Sequence, residues 1–330
     1  MFSKQDRRKY LNNPDYSMAL EKFHNEDYYD AFDYKKYYNI FCDKLLANGT
    51  VDQAYIFSNE RLNEVFEDEG FKNAKSVLTV GGGDQVFSAL YNGAKEITVA
   101  DANLFVKYWI EYKKAIIKNF SYLEFKKLLF GDAGNLKPLY RPIQIFDKNT
   151  FQKIFHDLDE DSKCFWGSVF IEEYDADDIY NRILSRADCS IEDMGSHFYI
   201  HKDDYLKLQN ILKQKDYEIE YKTAEFREFS GLSDKKYDLI LLSNVCRYIH
   251  ADKFKGIVER LYDKSLADGG TMQLYYSMQR RYIELYDLQK QFPDKVVEEQ
   301  KINNTEHTNF LIRKPKIQTQ NESIIEEVTM

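Results

Sequence analysis

What the sequence lacks narrows it first. Its four cysteines (Cys42, Cys164, Cys189 and Cys246) never form CxxC, which argues against a zinc ribbon or a disulfide framework and for reduced thiols. An excess of basic residues is missing too. With 46 Lys and Arg against 55 Asp and Glu the net charge is −9, so no global positive field draws nucleic acid or anionic lipid. No nucleic-acid partner is expected. No stretch of about 18 consecutive apolar residues occurs, so no transmembrane segment is expected. The opening "MFSKQDRRKYLNNPDYS" has charge but lacks the apolar centre of a signal peptide. No internal repeat is evident. These absences together predict a cytoplasmic protein.

What is present is a chain of 330 residues, long enough to bury a large core in one or two domains. Hydrophobic residues at 43% and charged residues at 31% are ordinary, but 26 Tyr and 23 Phe are not. Residues 1–73 are polar-aromatic and helix-like. Both "DYKKYYNIFCDKLLANG" and "VDQAYIFSNERLNEVFEDEG" place apolar residues three and four apart and end at glycine. The rhythm then changes. "SVLTV" reads as a strand, "DQVFSALYNG" as a helix, "KEITVAD" as a second strand and "ANLFVKYWIEYKKAIIKNF" as a long helix. That alternation predicts a parallel α/β sheet.

Residues of roughly 130–205 interrupt the pattern with acidic, helix-like sequence and are expected to form a helical insertion. Further strands are expected in "YEIEYKTAEF", "YDLILLSNV" and "TMQLYYS", with "ADGG" as a turn before the last. "KVVEEQKI" and "HTNFLIRK" suit a closing antiparallel pair. The expected organisation is therefore a helical region at 1–73, an α/β domain at 74–315 and a polar, frayed tail at 316–330.

The chemistry concentrates at "TVGGGDQ". Glycines directly after a buried strand allow a tight turn and a close ligand approach, and the next helix offers free N–H groups. The Gly-Lys-Ser/Thr of a P-loop is absent. A dinucleotide fingerprint starting at Gly81 would need a small residue at position 86, where the chain has Val86. S-adenosylmethionine, which has no pyrophosphate, tolerates a looser glycine pattern. Asp101 ends the second strand 18 residues after Gly83, a separation that lets a carboxylate accept bonds from both ribose hydroxyls. A chain that closes its sheet with a hairpin after the fifth strand is typical of class I S-adenosylmethionine-dependent transferases. The expected fold is accordingly α/β and Rossmann-like, of the class I methyltransferase kind, with the helical region and insertion added.

In an open α/β sheet ligands sit beyond the carboxyl ends of the strands. Gly81, Gly82, Gly83, Asp84, Asp101, Ala102, Asn103, Ser243 and Asn244 are therefore expected to converge on the donor, with Glu225 on the adenine side.

A narrower resemblance rests on the "LT-glycine-GD" turn, on "DAN" at Asp101–Asn103, on "EYKKAI" at Glu111–Ile116, and on "SYLEF" with a following "FG" at Ser121–Gly131. "LDEDSKCFW" at Leu158–Trp166 and "LILLSNV" extend it. In these runs the sequence resembles the S-adenosylmethionine:diacylglycerol 3-amino-3-carboxypropyltransferase family, the betaine-lipid synthases. The resemblance covers roughly 75–170 and the fourth strand, and is weak over 1–60 and the last 60 residues. It implies S-adenosylmethionine as co-substrate, attack on the γ-carbon of its methionine part, and release of methylthioadenosine. A methyltransferase would instead release S-adenosylhomocysteine from the same pocket, and a non-catalytic binder would release neither. The acceptor is expected to be a small molecule or a lipid headgroup.

Acceptor chemistry needs a base. Tyr248 and His250 follow the fourth strand in "NVCRYIH" and are the candidates, against a helix-start Tyr and an exposed His. Arg247 suits the methionine carboxylate or the surface equally. Tyr28, Tyr29, Tyr37 and Tyr38 either form a lid or pack a helical layer. The acidic run Glu172–Asp178 reads as a solvated helix face. His197 and His201 would share a face if helical, but "HFYIH" reads as a strand with no obvious third ligand, so no metal is expected.

Overall fold

The computed structural model describes residues 54–55, 57–58, 60–81, 83–101, 105–130, 144–171, 184–185, 195–223, 235–243, 245, 251–277, 285–302 and 307–316. Two compact units are assembled from alternating stretches of chain. One combines Met1–Asn59 with Asn103–Lys215, the other Glu60–Ala102 with Asp216–Met330.

The second unit holds a seven-stranded sheet. Its strands are β1 (Ser76–Val80), β2 (Glu96–Asp101), β3 (Glu218–Thr223), β4 (Tyr237–Leu241), β5 (Leu266–Ser277), β6 (Val296–Gln300) and β7 (His307–Arg313). They lie in the order β3-β2-β1-β4-β5-β7-β6. The first five are parallel, while β7 runs antiparallel to both β5 and β6. A parallel sheet whose order reverses beside its first strand, closed by a reversed hairpin, is the Rossmann-like class I methyltransferase topology. Its physical basis is in the strands themselves. β1 and β4 are short, rich in Val, Leu and Ile, and almost fully buried, as strands covered on both faces must be. The Asp238 carboxylate accepts from the backbone N–H groups of Lys75 and Ser76 at 2.8 and 3.1 Å, which pins the start of β4 to that of β1.

Helix α1 (Gly83–Tyr91) follows β1 and packs against β1 and β2. A helix over Ala251–Arg260 and another over Leu285–Gln291 supply Phe254, Ile257, Val258 and Leu288 to one core with Leu78, Val80, Ile240, Leu242 and Leu274 of the sheet. Two sequence expectations change here. "ADGG" is not a turn, because β5 runs through it. Gly269 takes φ +79° and pairs its N–H with Pro315 O at 3.2 Å, while the β4–β5 register shifts between Tyr237 and Leu239. Glycine thus absorbs an irregularity inside a strand. The second expected N-terminal helix is also not continuous. Its described part forms single turns at Leu62–Val65 and Glu69–Lys72, the latter started afresh by Asp68, whose side chain accepts from Gly70 N.

The first unit is helical. α2 (Phe105–Asn119) is joined by helices over Tyr122–Phe130, Lys148–Ile154 and Glu160–Ile171 and by α3 (Lys202–Gln214). Local sequence starts several of them. Ser121 and Glu124 exchange bonds as a capping box, and the Asp147 and Asp159 side chains accept from Thr150 N and Ser162 N. Among the described residues of this unit, aromatic side chains fill the core. Tyr108 stacks on Phe165 at 4.1 Å, and Tyr112, Phe146 and Trp166 pack together. The polar ends of these rings are satisfied as burial requires, with Trp166 Nε1 donating to Tyr108 O and Tyr112 OH to Ile145 O. Lys113, also buried, donates to Tyr199 OH at 2.8 Å and lies 5.0 Å from the Trp109 ring. Residues 54–55 pair in parallel with residues 184–185.

Candidate functional site

β1 delivers the chain to the carboxyl edge of the sheet at Val80, and Gly81 turns it with φ +77°. Gly81 N donates to Ala100 O at 3.3 Å. A Cβ placed on Gly81 would lie 3.5 Å from Asp101 Oδ2, so the carboxylate at the end of β2 stands beside the glycine turn. Thr223, the last residue of β3, is the register partner of Asp101. α1 then begins at Gly83 with Asp84 and Gln85 both buried.

Beyond the end of β4 the chain reaches Ser243, which takes φ +49°. A left-handed non-glycine residue costs roughly 1–2 kcal/mol, and it persists where its surroundings fix it. Here Tyr275 N donates to Ser243 O at 3.2 Å, and the Ser243 hydroxyl donates to the carboxylate of Glu60.

Glu60 organises this end of the sheet. Its side chain also accepts from Gln85 Nε2 at 3.2 Å, and Gln273 Nε2 stands 3.5 Å away. One carboxyl thus joins the first turn of α1, the loop after β4 and the middle of β5. Only 1% of Glu60 is exposed. Burial pushes its carboxyl up from 4.5 to about 7, the bonds from Ser243, Gln273 and Gln85 oppose the rise, and the nearby Asp84 charge adds to it. Burial also holds the Tyr275 phenol well above its usual range, and its oxygen accepts from Arg61 N at 3.3 Å.

The structure therefore brings Gly81, Gly83, Asp84, Asp101 and Ser243 to the carboxyl ends of β1, β2 and β4 within a single unit. Gly82, Ala102, Asn103, Glu225 and Asn244 lie outside the described residues, as do Arg247, Tyr248, His250, Tyr28, Tyr29, Tyr37, Tyr38 and the Glu172–Asp178 run. Glu60 escaped the sequence reading. In "SNERLNEV" it resembles any solvated acid on a helix, and only the tertiary fold buries it.

His197 and His201 differ from expectation. His197–Ile200 is a helical turn rather than a strand, and Asp204 at the start of α3 provides the third potential ligand that the sequence did not reveal.

Neither a protein-family model nor a curated protein matches this sequence. Solved structures similar to it include an O-methyltransferase family protein from Burkholderia thailandensis, with 10% identity and a TM-score of 0.35 over 77% of this chain and 55% of that one. This chain thus spans about half the length of that protein. The N-methyltransferase NodS from Bradyrhizobium japonicum, in complex with S-adenosyl-L-homocysteine, is 10% identical with a TM-score of 0.35 over 85% of this chain and 98% of that one. A TehB-like methyltransferase from Corynebacterium glutamicum is 10% identical with a TM-score of 0.33 over 85% and 97%.

Proposed function

We propose that this protein is an S-adenosylmethionine-dependent transferase whose donor lies across the carboxyl ends of β1, β2 and β4. The observation that carries the reading is the chemistry around the glycine turn. Gly81 leaves the backbone open to a ligand, and Asp101 beside it is placed to accept bonds from ribose hydroxyls. Behind the turn stand two buried acids, Asp84 and Glu60. A pyrophosphate would bring negative charge towards the Asp84 carboxylate, whereas the sulfonium and ammonium of S-adenosylmethionine bring positive charge. The same turn that is poor for NAD or ATP thus suits this donor.

The transferred group we propose is 3-amino-3-carboxypropyl. The acceptor's amine or hydroxyl attacks the γ-carbon of the methionine part, the carbon–sulfur bond breaks, its electron pair stays on sulfur, and methylthioadenosine leaves. The acceptor proton passes to a base, for which Tyr248 and His250 are our candidates. The support for this carbon is the resemblance in "VLTVGGGD", "EYKKAI", "SYLEF" and "LDEDSKCFW". Methyl transfer is the second reading, because the strand order with its reversed hairpin suits methyltransferases equally. The acceptor is a small molecule or a lipid headgroup, and no helix among the described residues is long and apolar enough to cross a membrane.

Incubating the protein with S-adenosylmethionine and host extract, then identifying the nucleoside formed, tests the reaction. Methylthioadenosine above the uncatalysed background is the expected product. S-adenosylhomocysteine would replace this reading with methylation, and tight binding without either product would make the protein a binder.

A further inference from the structure

In the helical unit a second constellation faces outward and has no part in the reading above. His197 begins a helical turn, His201 closes it with its N–H bonded to His197 O at 2.9 Å, and Asp204 follows in the first turn of α3. One ligand atom from each of the three lies within 4.8 Å of the other two. The two imidazole rings stand 6.1 Å apart, inclined by 30°. Among the described residues neither imidazole makes a hydrogen bond, and His201, although it is the N-cap residue of α3, does not use its side chain to cap it.

The backbone that carries these groups is fixed from behind. Phe198 and Tyr199 between the histidines are buried, as is Tyr205 next to Asp204. Tyr122 OH donates to the carbonyls of Tyr199 and Ile200 at 3.2 and 2.5 Å. Tyr205 OH donates to Ile117 O and Phe120 O at 3.1 and 2.8 Å. Three ligands thus project from an anchored turn towards solvent, with His197 and Asp204 half-buried and His201 exposed. Pre-organised backbone is what separates a binding site from a chance cluster of side chains. The acids Asp203 and Asp204 also offset the positive end of α3, which otherwise repels a cation.

We propose that His197, His201 and Asp204 bind one divalent transition metal ion of the zinc type. Two imidazoles and one carboxylate are the donor set that zinc accepts, and three protein ligands leave a position for water or an exogenous ligand. Magnesium and calcium prefer all-oxygen sites and are expected to compete poorly. The ion ties the turn at 197–201 to α3, so binding stabilises the folded chain by mass action.

The test uses the full chain, stripped with chelator and titrated with Zn²⁺, with Co²⁺ absorbance as a second probe. Wild type is expected to bind one equivalent that His201→Ala and Asp204→Asn each lose, while His156→Ala, at an exposed position on another helix, retains it. Metal-free melting of His201→Ala should match wild type, since that side chain is exposed and does not cap α3. Unchanged zinc stoichiometry in both site variants, absence of binding up to about 1 mM, or displacement by equimolar calcium would each overturn the proposal.

Discussion

Glu60 concentrates the residue-scale physics of the sheet unit. Its carboxyl titrates near pH 7 in the fold against 4.5 ordinarily, so the folded chain holds a proton that the unfolded chain releases. The associated stability is fully present below about 4.5 and is lost as pH rises through about 7. The gap between the two values corresponds to on the order of 3 kcal/mol. Wild type should therefore melt at progressively lower temperature between about pH 5 and 8, and Glu60→Gln should flatten that slope. A parallel slope in the variant would mean that another group titrates. At Asp101 the prediction concerns the ligand instead. Asp101→Ala removes the charged acceptor from the ribose and should weaken S-adenosylmethionine binding by about 1.5–3 kcal/mol in calorimetry. Unchanged affinity would place the donor elsewhere.

At the scale of the element, the turn after β1 depends on one backbone angle. Gly81→Ala meets no hard contact, because the nearest atom to the new Cβ is Asp101 Oδ2 at 3.5 Å. The cost arises from φ +77°, which an L residue adopts at about 1–2 kcal/mol. Thermal melting should register that loss together with weaker donor binding. The end of α2 is sealed differently. Gln209 Nε2 donates to Ile117 O and Phe120 O at 2.7 and 2.8 Å, satisfying carbonyls that the helix leaves open. Gln209→Ala should cost about 1–3 kcal/mol of stability, read from denaturant unfolding. Elements like these differ in how much of themselves they reveal in sequence. "SVLTV", "KEITVAD" and "YDLIL" are legible because each carries a short, mostly buried run rich in β-branched or aliphatic residues. "ADGG" misleads because glycine signals both a turn and a bulge within a strand, and only pairing with Pro315 and Lys314 decides which. "HFYIH" misleads because its aromatic content favours a strand locally, while Tyr122 secures the helical turn from 77 and 78 residues away.

For the whole molecule, the topology follows from the order of strands and helices, and Asp101 follows from the topology. The positions of Gly81 and Asp101 could be read in advance because they attach to strand ends, which sequence marks well. Glu60 could not, because its burial depends on α1, β4 and β5 meeting around a residue whose own neighbours look solvent-exposed. The fold and the placement of residues at its strand ends are thus more legible than the polar network around Glu60. On the proposed function, the pocket beyond β1, β2 and β4 takes S-adenosylmethionine rather than a dinucleotide. Calorimetric titration of the purified chain with each ligand tests it most directly. Saturable binding of one S-adenosylmethionine and no binding of NAD at the same concentration are the expected results. Binding of NAD, or no heat from S-adenosylmethionine, would contradict it.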